Sequence, residues 1–376
     1  MFSTAVLFAG ILSGWAALSY VHLRHGGLAV IAVGSPLPVL LAGYGLASRL
    51  ESDLVAFLGL LACIFGVVCS QSAADRIARG ICDGLAPREA IRRTFAGIAV
   101  PVLWVLAACG LSLFAAVPPY GLRNCLAALV LLLAASALAF GGGFLARALS
   151  FSEWFVAAAN RARESRERWI SRLSFVAERR WGLSVSGIGI VLGTIAVFGA
   201  RSLRLHGEPP MSAMRYALIA AIAFAASAIA LRNWRLALAV TLTLVFEGLF
   251  GLWAVSAGAM PIFSEDRIVF GVTLAIGAVP TILLASAVCG FLRDGDDIAT
   301  ALARALEQSG PGAVLACVTA AVPWFVATVA GGIVRFELAA ALATIAGTIL
   351  VFPAQVTAIH VLFPRYRSVE EVFGKR

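Results

Sequence analysis

Charged side chains are scarce in this sequence. Asp, Glu, Lys and Arg make up 13% of its 376 residues, whereas they make up about a quarter of a typical soluble domain. Hydrophobic residues make up 61%, and the mean hydropathy is +0.95. A water-soluble domain has no way to shield so much apolar surface, and the composition therefore indicates an integral membrane protein.

Several catalytic and binding motifs are also missing. The sequence has no G-x-x-x-x-G-K-[ST] nucleotide loop, no H-x-x-x-H or paired Cys/His metal set, and no G-x-S-x-G motif for acyl transfer. The seven cysteines include no C-x-x-C pair, and we interpret them as small packing residues. We therefore expect no metal, no cofactor and no enzymatic activity, with an integral-membrane lipid transferase as the open alternative.

Apolar runs long enough to cross a bilayer recur along the whole chain. About 20 helical residues cover the roughly 30 Å of hydrocarbon in a membrane. The sequence predicts an all-α integral membrane protein with about eleven transmembrane helices. The predicted spans are residues 3–21, 28–47, 54–72, 95–117, 125–149, 183–200, 213–231, 236–256, 268–291, 312–330 and 338–362.

The distribution of basic residues predicts the orientation, because Lys and Arg accumulate in cytoplasmic loops. With the N-terminus outside, cytoplasmic segments hold about 22 of the 29 Lys and Arg residues. We predict a multi-pass protein of the bacterial inner (cytoplasmic) membrane with a cytoplasmic C-terminus. The net charge of +9 is then an orientation signal, and no nucleic-acid partner is expected. A cleaved signal peptide is the competing interpretation of the first run, but no basic residue precedes that run.

Similar segments recur at an offset of about 210 residues. Leu23-Arg24-His25 has a counterpart in Leu231-Arg232-Asn233, and residues 122–128 have one in residues 334–340. We predict two five-helix transmembrane repeats, residues 1–150 and 212–364. Both begin outside and end inside, so the repeat is parallel, with a pseudo-two-fold axis along the membrane normal.

Three further segments complete the predicted organisation. Residues 151–182 are rich in Arg and form either a basic amphipathic helix on the inner leaflet or a solvated connector. Residues 183–211 would form a linking transmembrane helix and a short outer loop. Residues 365–376 would form a cytoplasmic tail.

Glycine-rich segments in both predicted repeats resemble those of a known family. Their order is similar to that in the transmembrane domain of the resistance-nodulation-division (RND) superfamily, with the MMPL and hopanoid-exporter type as the nearest branch. The resemblance implies a transport protein of the inner membrane that handles a hydrophobic or lipid-like substrate. The segments that carry it are Gly66-Val67-Val68, Gly84, Ala90 to Arg93, Pro261, Gly277-Ala278-Val279, Gly295, Ala301 to Arg304 and Phe352-Pro353-Ala354.

Two features depart from the family pattern. The family has a large periplasmic porter domain in each half, whereas the outer loops predicted here are short, so the resemblance implies that such domains belong to another chain. The family also places a proton-relay aspartate directly after the G-x pair of its Gly-rich helix. Val68 and Val279 occupy those positions here and cannot titrate, which makes them degenerate relay positions.

Polar residues inside the predicted spans are the remaining candidates for function. Glu247 lies near the middle of span 236–256, where a charged carboxylate costs about 2.5 to 3.5 kcal/mol on insertion scales. It is interpreted either as a proton relay or ligand contact, or as a neutral acid bonded to a neighbouring helix. A polar stripe near the predicted cytoplasmic end of the third span either joins helices by hydrogen bonds, emerges into water or lines a path: Ser70, Gln71 and Asp75. Gln355 and His360 form a similar stripe in the last span, and His360 is interpreted as an interfacial residue.

Two functions fit these observations. The first is an RND-like transport protein for a hydrophobic or lipid-like substrate. The second is a degenerate, RND-derived subunit that does not transport and instead scaffolds a larger membrane complex. In both cases the expected partners are membrane lipids and other membrane or periplasmic protein subunits.

Overall fold

The computed structural model describes residues 4–23, 26–117, 121–149, 213–257 and 266–329, together with isolated positions that include residue 355. These residues form helices and no strands. The all-α prediction is therefore confirmed for the described part of the chain. Its ten helices are α1 (Thr4–Leu23), α2 (Gly26–Gly34), α3 (Pro38–Leu50), α4 (Asp53–Cys82), α5 (Pro87–Ala116), α6 (Leu122–Leu149), α7 (Ala213–Leu231), α8 (Trp234–Ala257), α9 (Asp266–Arg293) and α10 (Ile298–Val329).

Six helical stretches among the described residues are long and apolar enough to cross a membrane, which supports a multi-pass membrane protein. The predicted connector 151–182, linking helix 183–211 and last span 338–362 lie almost wholly outside the described residues. The six stretches are Gly26–Leu50, Leu54–Cys82, Pro87–Ala116, Leu122–Gly142, Met214–Leu231 and Arg267–Arg293.

The second predicted span is divided into two helices. α2 ends at Gly34, a turn follows at residues 35–37, and α3 begins at Pro38. Pro36 and Pro38 both lack a backbone N–H, and the hydrogen bonds that would continue α2 into α3 at these residues therefore cannot form. The apolar run predicted one helix here, and the prolines explain the break.

Helices α4 and α9 form the centre of the bundle. Within their spans 78% of α4 and 83% of α9 is buried, compared with 17% of α7. They contact each other, and both pack against α5 and α10. Helices that are apolar on all sides are expected in such a core, and the exposed apolar surface of α7 is suited to face lipid.

Helices α5 and α10 each pack against helices of the other predicted half. α5 belongs to the first half and packs against α7 and α9 of the second. α10 belongs to the second half and packs against α1 and α4 of the first. Side chains where α1, α4 and α10 meet therefore join the two halves.

The C-terminal ends of α4 and α9 carry the same cap. Gly84 has a φ of 84° and Gly295 has a φ of 99°, and they lie 211 residues apart. In both caps the residue after the glycine donates its N–H to the carbonyl five residues earlier. This is the Schellman motif, in which glycine adopts the left-handed backbone without a Cβ clash.

Candidate functional site

Helix α4 carries polar side chains along one face. Gln71, Asp75 and Arg79 recur every fourth residue, which places them one above another on a helix. All three are buried. Val68 lies on the same face two turns before Asp75, about 10 Å along the helix axis. The relay position that the resemblance assigns to Val68 is therefore aligned with a buried carboxylate nearer the end predicted to be cytoplasmic.

Asp75 is shared between two basic partners. Its Oδ1 lies 2.9 Å from His22 Nε2 on α1, and its Oδ2 accepts a hydrogen bond from Arg79 Nη2 one turn along α4. The Asp75 side chain is 2% exposed. Both carboxylate oxygens are thus engaged in the interior, which offsets part of the cost of burying a charge.

Arg79 continues this connection to α10 by donating from Nη1 to the backbone carbonyl of Glu307. In a regular helix that carbonyl would accept from the N–H four residues later, but this position is Pro311, which has none. The proline leaves an acceptor in α10, and the guanidinium of Arg79 occupies it. His22, Asp75 and Arg79 therefore form a chain of contacts from α1 through α4 to α10.

Arg76 adds a second cationic group beside Asp75. Its Nη2 lies 3.2 Å from the Leu283 carbonyl of α9 and 3.4 Å from Ser309 Oγ of α10. Two guanidinium groups, those of Arg76 and Arg79, therefore belong to residues within about one helical turn of Asp75 on α4. We name His22, Asp75, Arg76 and Arg79 the Asp75 cluster.

A small cavity borders the Asp75 cluster. Its volume is about 10 Å³ and its lining includes Ser72, Asp75, Arg76 and Gln308. That is about the space one water molecule needs, and the lining offers polar partners for it. A Cβ at Gly312 would lie 3.0 Å from Asp75 Oδ2, and this glycine therefore lets α10 approach the carboxylate closely.

Gln71 makes a second junction one turn before Asp75. Its Nε2 donates to Ser19 Oγ on α1 over 2.7 Å, and its Oε1 accepts from Thr319 Oγ1 on α10 over 2.8 Å. Gln71 is completely buried. The amide thus uses both its donor and its acceptor to bridge three helices, which is the arrangement expected of a buried polar group in a bundle.

A second proline-freed carbonyl of α10 is also occupied. Pro323 cannot donate to the carbonyl of Thr319, and the indole N–H of Trp15 on α1 donates to that oxygen over 2.8 Å. Trp15 is completely buried. Side chains of the first half therefore occupy both carbonyls that the internal prolines of α10 leave free, at Glu307 and Thr319.

Glu247 lies in a different part of the bundle. It is on α8, which packs against α7 and α9, and it is 3% exposed. Its Oε2 has no hydrogen-bond partner in the described structure. A Cβ added at Gly277 of α9 would overlap its carboxylate. The structure therefore does not join Glu247 to the Asp75 cluster.

The other predicted residues occupy separate positions. Ser70 is buried, and its hydroxyl lies 3.3 Å from that of Ser35. Gln355 Nε2 donates to the Thr281 carbonyl of α9 over 2.8 Å. Val68 and Val279 are completely buried apolar residues on the two central helices. His360 lies outside the described residues.

Sequence reasoning missed several members of the cluster. His22, Arg76 and Arg79 were not identified, although the spacing of Asp75 and Arg79 is a common helical ion-pair pattern that could have drawn attention to Arg79. The acceptor carbonyl of Glu307 could have been anticipated from Pro311 four residues later. Nothing in the sequence pairs these groups across the 228 residues that separate Arg79 from Glu307.

Comparison with known proteins rests on structure, because no family model and no curated protein matches the sequence. The crystal structure of SecDF from Thermus thermophilus, described as a translocon-associated membrane protein, superposes with a TM-score of 0.61 at 14% identity. The match covers 96% of this chain and 62% of SecDF. A crystal structure of SecDF in a super-membrane-facing form matches with a TM-score of 0.55 at 13% identity, covering 95% and 61%.

These similarities bear on the fold. The chain spans about three fifths of the length of the SecDF chains that it matches. The similarity does not test the assignment to the MMPL and hopanoid-exporter branch or the predicted lack of porter domains, and both stay predictions. The described part of the chain has a helical transmembrane fold similar to that of SecDF.

Proposed function

We propose that this chain is the membrane-embedded unit of an RND-like transport protein in the bacterial inner membrane, with the Asp75 cluster as its proton-responsive element. Its substrate would be hydrophobic or lipid-like. The observation that carries the proposal is the sharing of one buried carboxylate among α1, α4 and α10, where the two halves meet.

A proton on Asp75 would change every contact of the cluster. The neutral acid would no longer attract Arg79 and His22 as an ion, and the positive charge of Arg79 would lose the attraction of Asp75. Arg79 also holds the proline-freed carbonyl of Glu307, so its displacement would loosen α10. One protonation event at Asp75 is therefore suited to shift the position of α10 against α4.

The location of the cluster supports this assignment. Ionisable residues inside a membrane bundle commonly mark proton relays and ion pathways. Asp75 lies on the same face of α4 as Val68, the position that the resemblance assigns to the relay. The carboxylate would then have a relay role two turns nearer the predicted cytoplasmic side, beside a cavity lined by Ser72 and Gln308.

The substrate class rests on the resemblance to exporters of hydrophobic molecules. Porter domains that handle such a substrate outside the membrane would be supplied by a partner chain, because the predicted outer loops are short. The expected partners are therefore membrane lipids and a periplasmic or membrane-anchored subunit.

The direct test of transport is reconstitution of the full chain in proteoliposomes with a fluorescent phospholipid as the probe. The probe should leave its original leaflet or pass to acceptor vesicles faster under an imposed proton gradient than after the gradient is dissipated. Equal rates in proteoliposomes and protein-free liposomes, with and without the gradient, would contradict the proposal.

A second function is favoured by one observation. The SecDF structure that matches this chain is described as that of a translocon-associated membrane protein, and a scaffold that positions a larger membrane complex would need the same fold without transport. Extraction in native lipid particles followed by mass spectrometry separates the two functions. Unrelated membrane subunits at fixed stoichiometry, with only bulk lipid, would favour the scaffold, and a specific enriched lipid would favour transport.

A further inference from the structure

Glu247 occupies a notch in the surface of helix α9. A side chain at Gly277 would overlap the carboxylate, so the glycine makes the space in which the carboxyl group lies. Glu247 is 3% exposed, and its Oε2 has no hydrogen-bond partner in the described structure. Buried polar oxygens are normally paired, and an exception of this kind calls for a functional reason.

The equivalent notch in the first half holds an apolar residue. Gly66 on α4 and Gly277 on α9 are 211 residues apart, the same separation as the two capping glycines. A Cβ at Gly66 would lie 2.7 Å from Cβ of Pro36, and Pro36 is itself 211 residues before Glu247. Two notches of the same kind are therefore filled differently, by proline in one half and by a carboxylic acid in the other.

Among the described residues, no counter-charge faces Glu247 from α7 or α9, the helices packed against α8. Arg215 and Tyr216 of α7 are exposed. Arg235 of α8 lies twelve residues before Glu247, about 18 Å along the helix. The charged or titratable groups of α9 lie ten or more residues from Gly277, about 15 Å or further along the helix: Asp266, Arg267, Cys289 and Arg293.

A buried carboxyl group without a counter-charge holds either a proton or a metal cation. A hard metal cation requires several oxygen ligands. The Gly277 carbonyl beside Glu247 already accepts the hydroxyl hydrogen of Thr281 over 3.1 Å, and the Thr243 hydroxyl one turn earlier on α8 donates to the Ala239 carbonyl. A proton needs only the carboxyl oxygen itself, and this simple requirement favours the proton.

We propose that Glu247 is a proton-binding site in the interior of the second half, separate from the Asp75 cluster. In the structure described here α8 and α9 enclose the carboxyl group in its protonated form. Separation of α8 from α9 at the Gly277 notch would admit water, and the acid would then release its proton to that water. The site goes beyond the proposed function because it does not depend on Asp75.

Infrared difference spectroscopy of the full chain in native lipid particles tests this directly. Wild-type protein should show a protonated carboxylic acid band that shifts in D₂O and loses intensity as the buffer is made alkaline. The band should be absent from Glu247→Gln and present in the control Glu89→Gln, because Glu89 is a partly exposed carboxylate. Identical bands in wild type and Glu247→Gln, or a Glu247 band unchanged across the pH range, would overturn the proposal.

Two further experiments test a bound sodium ion and a variant that does not fold. If sodium at constant ionic strength removes the protonated band over the whole pH range, Glu247 is a sodium site and the proton assignment is wrong. If Glu247→Gln does not fold, dicyclohexylcarbodiimide, which adds to protonated carboxylic acids, should modify Glu247 in the wild type less at alkaline pH. No adduct at any pH, with the infrared band also unaltered by pH, would overturn the proposal. Neither result depends on Asp75 or on lipid flux.

Discussion

Two buried carboxylic acids in this bundle have opposite surroundings. Asp75 has a partner for each oxygen, and those partners connect α1, α4 and α10. Among the described residues, Glu247 lies against Gly277 of α9 and retains an oxygen without a hydrogen bond. A carboxylate whose two oxygens are both paired holds its helices together, whereas an isolated acid leaves its helices free to separate.

Because of this difference, protonation should have a different effect at each of the two sites. At Asp75 a proton would weaken the contacts that join α1, α4 and α10, because Arg79 and His22 would lose the attraction of the carboxylate. At Glu247 a proton would stabilise the closed α8–α9 pair because it removes a buried charge. The account therefore predicts that the two sites respond to acid in opposite senses, one by loosening and the other by closing.

Asp75→Ala should give the largest effect on stability. Removing one partner of a buried ion pair typically costs about 3 to 5 kcal/mol, because the remaining charges stay buried without compensation. Denaturant unfolding of the purified protein measures the loss. Glu89→Gln is the matched control, since Glu89 also contacts two arginines, Arg92 and Arg93, but at a solvent-exposed surface. An equal loss in both variants would remove the distinction between the cluster and a surface ion pair.

Gly277→Ala should be the next most damaging change, because the new methyl group overlaps the Glu247 carboxylate. Overpacking of this kind costs about 1 to 3 kcal/mol. In a double-mutant cycle, Glu247→Ala should restore part of the loss, with a coupling of about 0.5 to 3 kcal/mol. Gly66→Ala with Pro36→Ala provides the same cycle in the other half. Additive effects at residues 277 and 247 would show that the carboxyl group does not occupy the notch.

Pro311→Ala tests whether Arg79 acts as the donor for a proline-freed carbonyl. Alanine restores the N–H that can bond to Glu307, and Arg79→Gln should then cost less in the Pro311→Ala protein than in the wild type. The expected difference is about 1.5 kcal/mol, the lower range for a hydrogen bond to a charged group. Unfolding midpoints of the four proteins give the coupling. The same cost of Arg79→Gln in both backgrounds would contradict the role of Pro311.

Trp15→Phe should have the smallest effect among these changes. It removes the indole N–H that bonds to the Thr319 carbonyl and keeps most of the ring buried, so the expected loss is about 1 kcal/mol. Trp234→Phe is the control, because Trp234 is 58% exposed. An effect of Trp234→Phe as large as that of Trp15→Phe would show that the buried hydrogen bond adds no stability.

The sequence predicted the part of the fold that the membrane determines, namely the transmembrane helices. Apolar runs located the spans that the structure describes, because a chain in hydrocarbon must satisfy its backbone within helices. Gly84 and Gly295 were among the residues that carry the family resemblance, and both cap a central helix in the left-handed conformation. The break at residues 35–37 was missed because the surrounding residues are apolar, although Pro36 and Pro38 were visible in the sequence.

The candidate site was predictable only in part. Asp75 and Gln71 stood out as polar residues in an apolar span, and Glu247 stood out for the same reason. The sequence could not pair Asp75 with His22, which lies 53 residues away on another helix, nor Arg79 with the Glu307 carbonyl. Such contacts depend on how helices pack, and hydropathy alone carries no information on that packing.

Gradient-driven movement of the fluorescent phospholipid by Asp75→Asn in proteoliposomes tests whether the Asp75 cluster responds to protons, with Glu89→Gln as the control. Asparagine keeps the shape of Asp75 and cannot exchange a proton in this way. The account predicts that Asp75→Asn falls to the rate of protein-free liposomes while Glu89→Gln transports like the wild type. Full gradient-dependent transport by folded Asp75→Asn would contradict the assignment of the Asp75 cluster as the proton-responsive element.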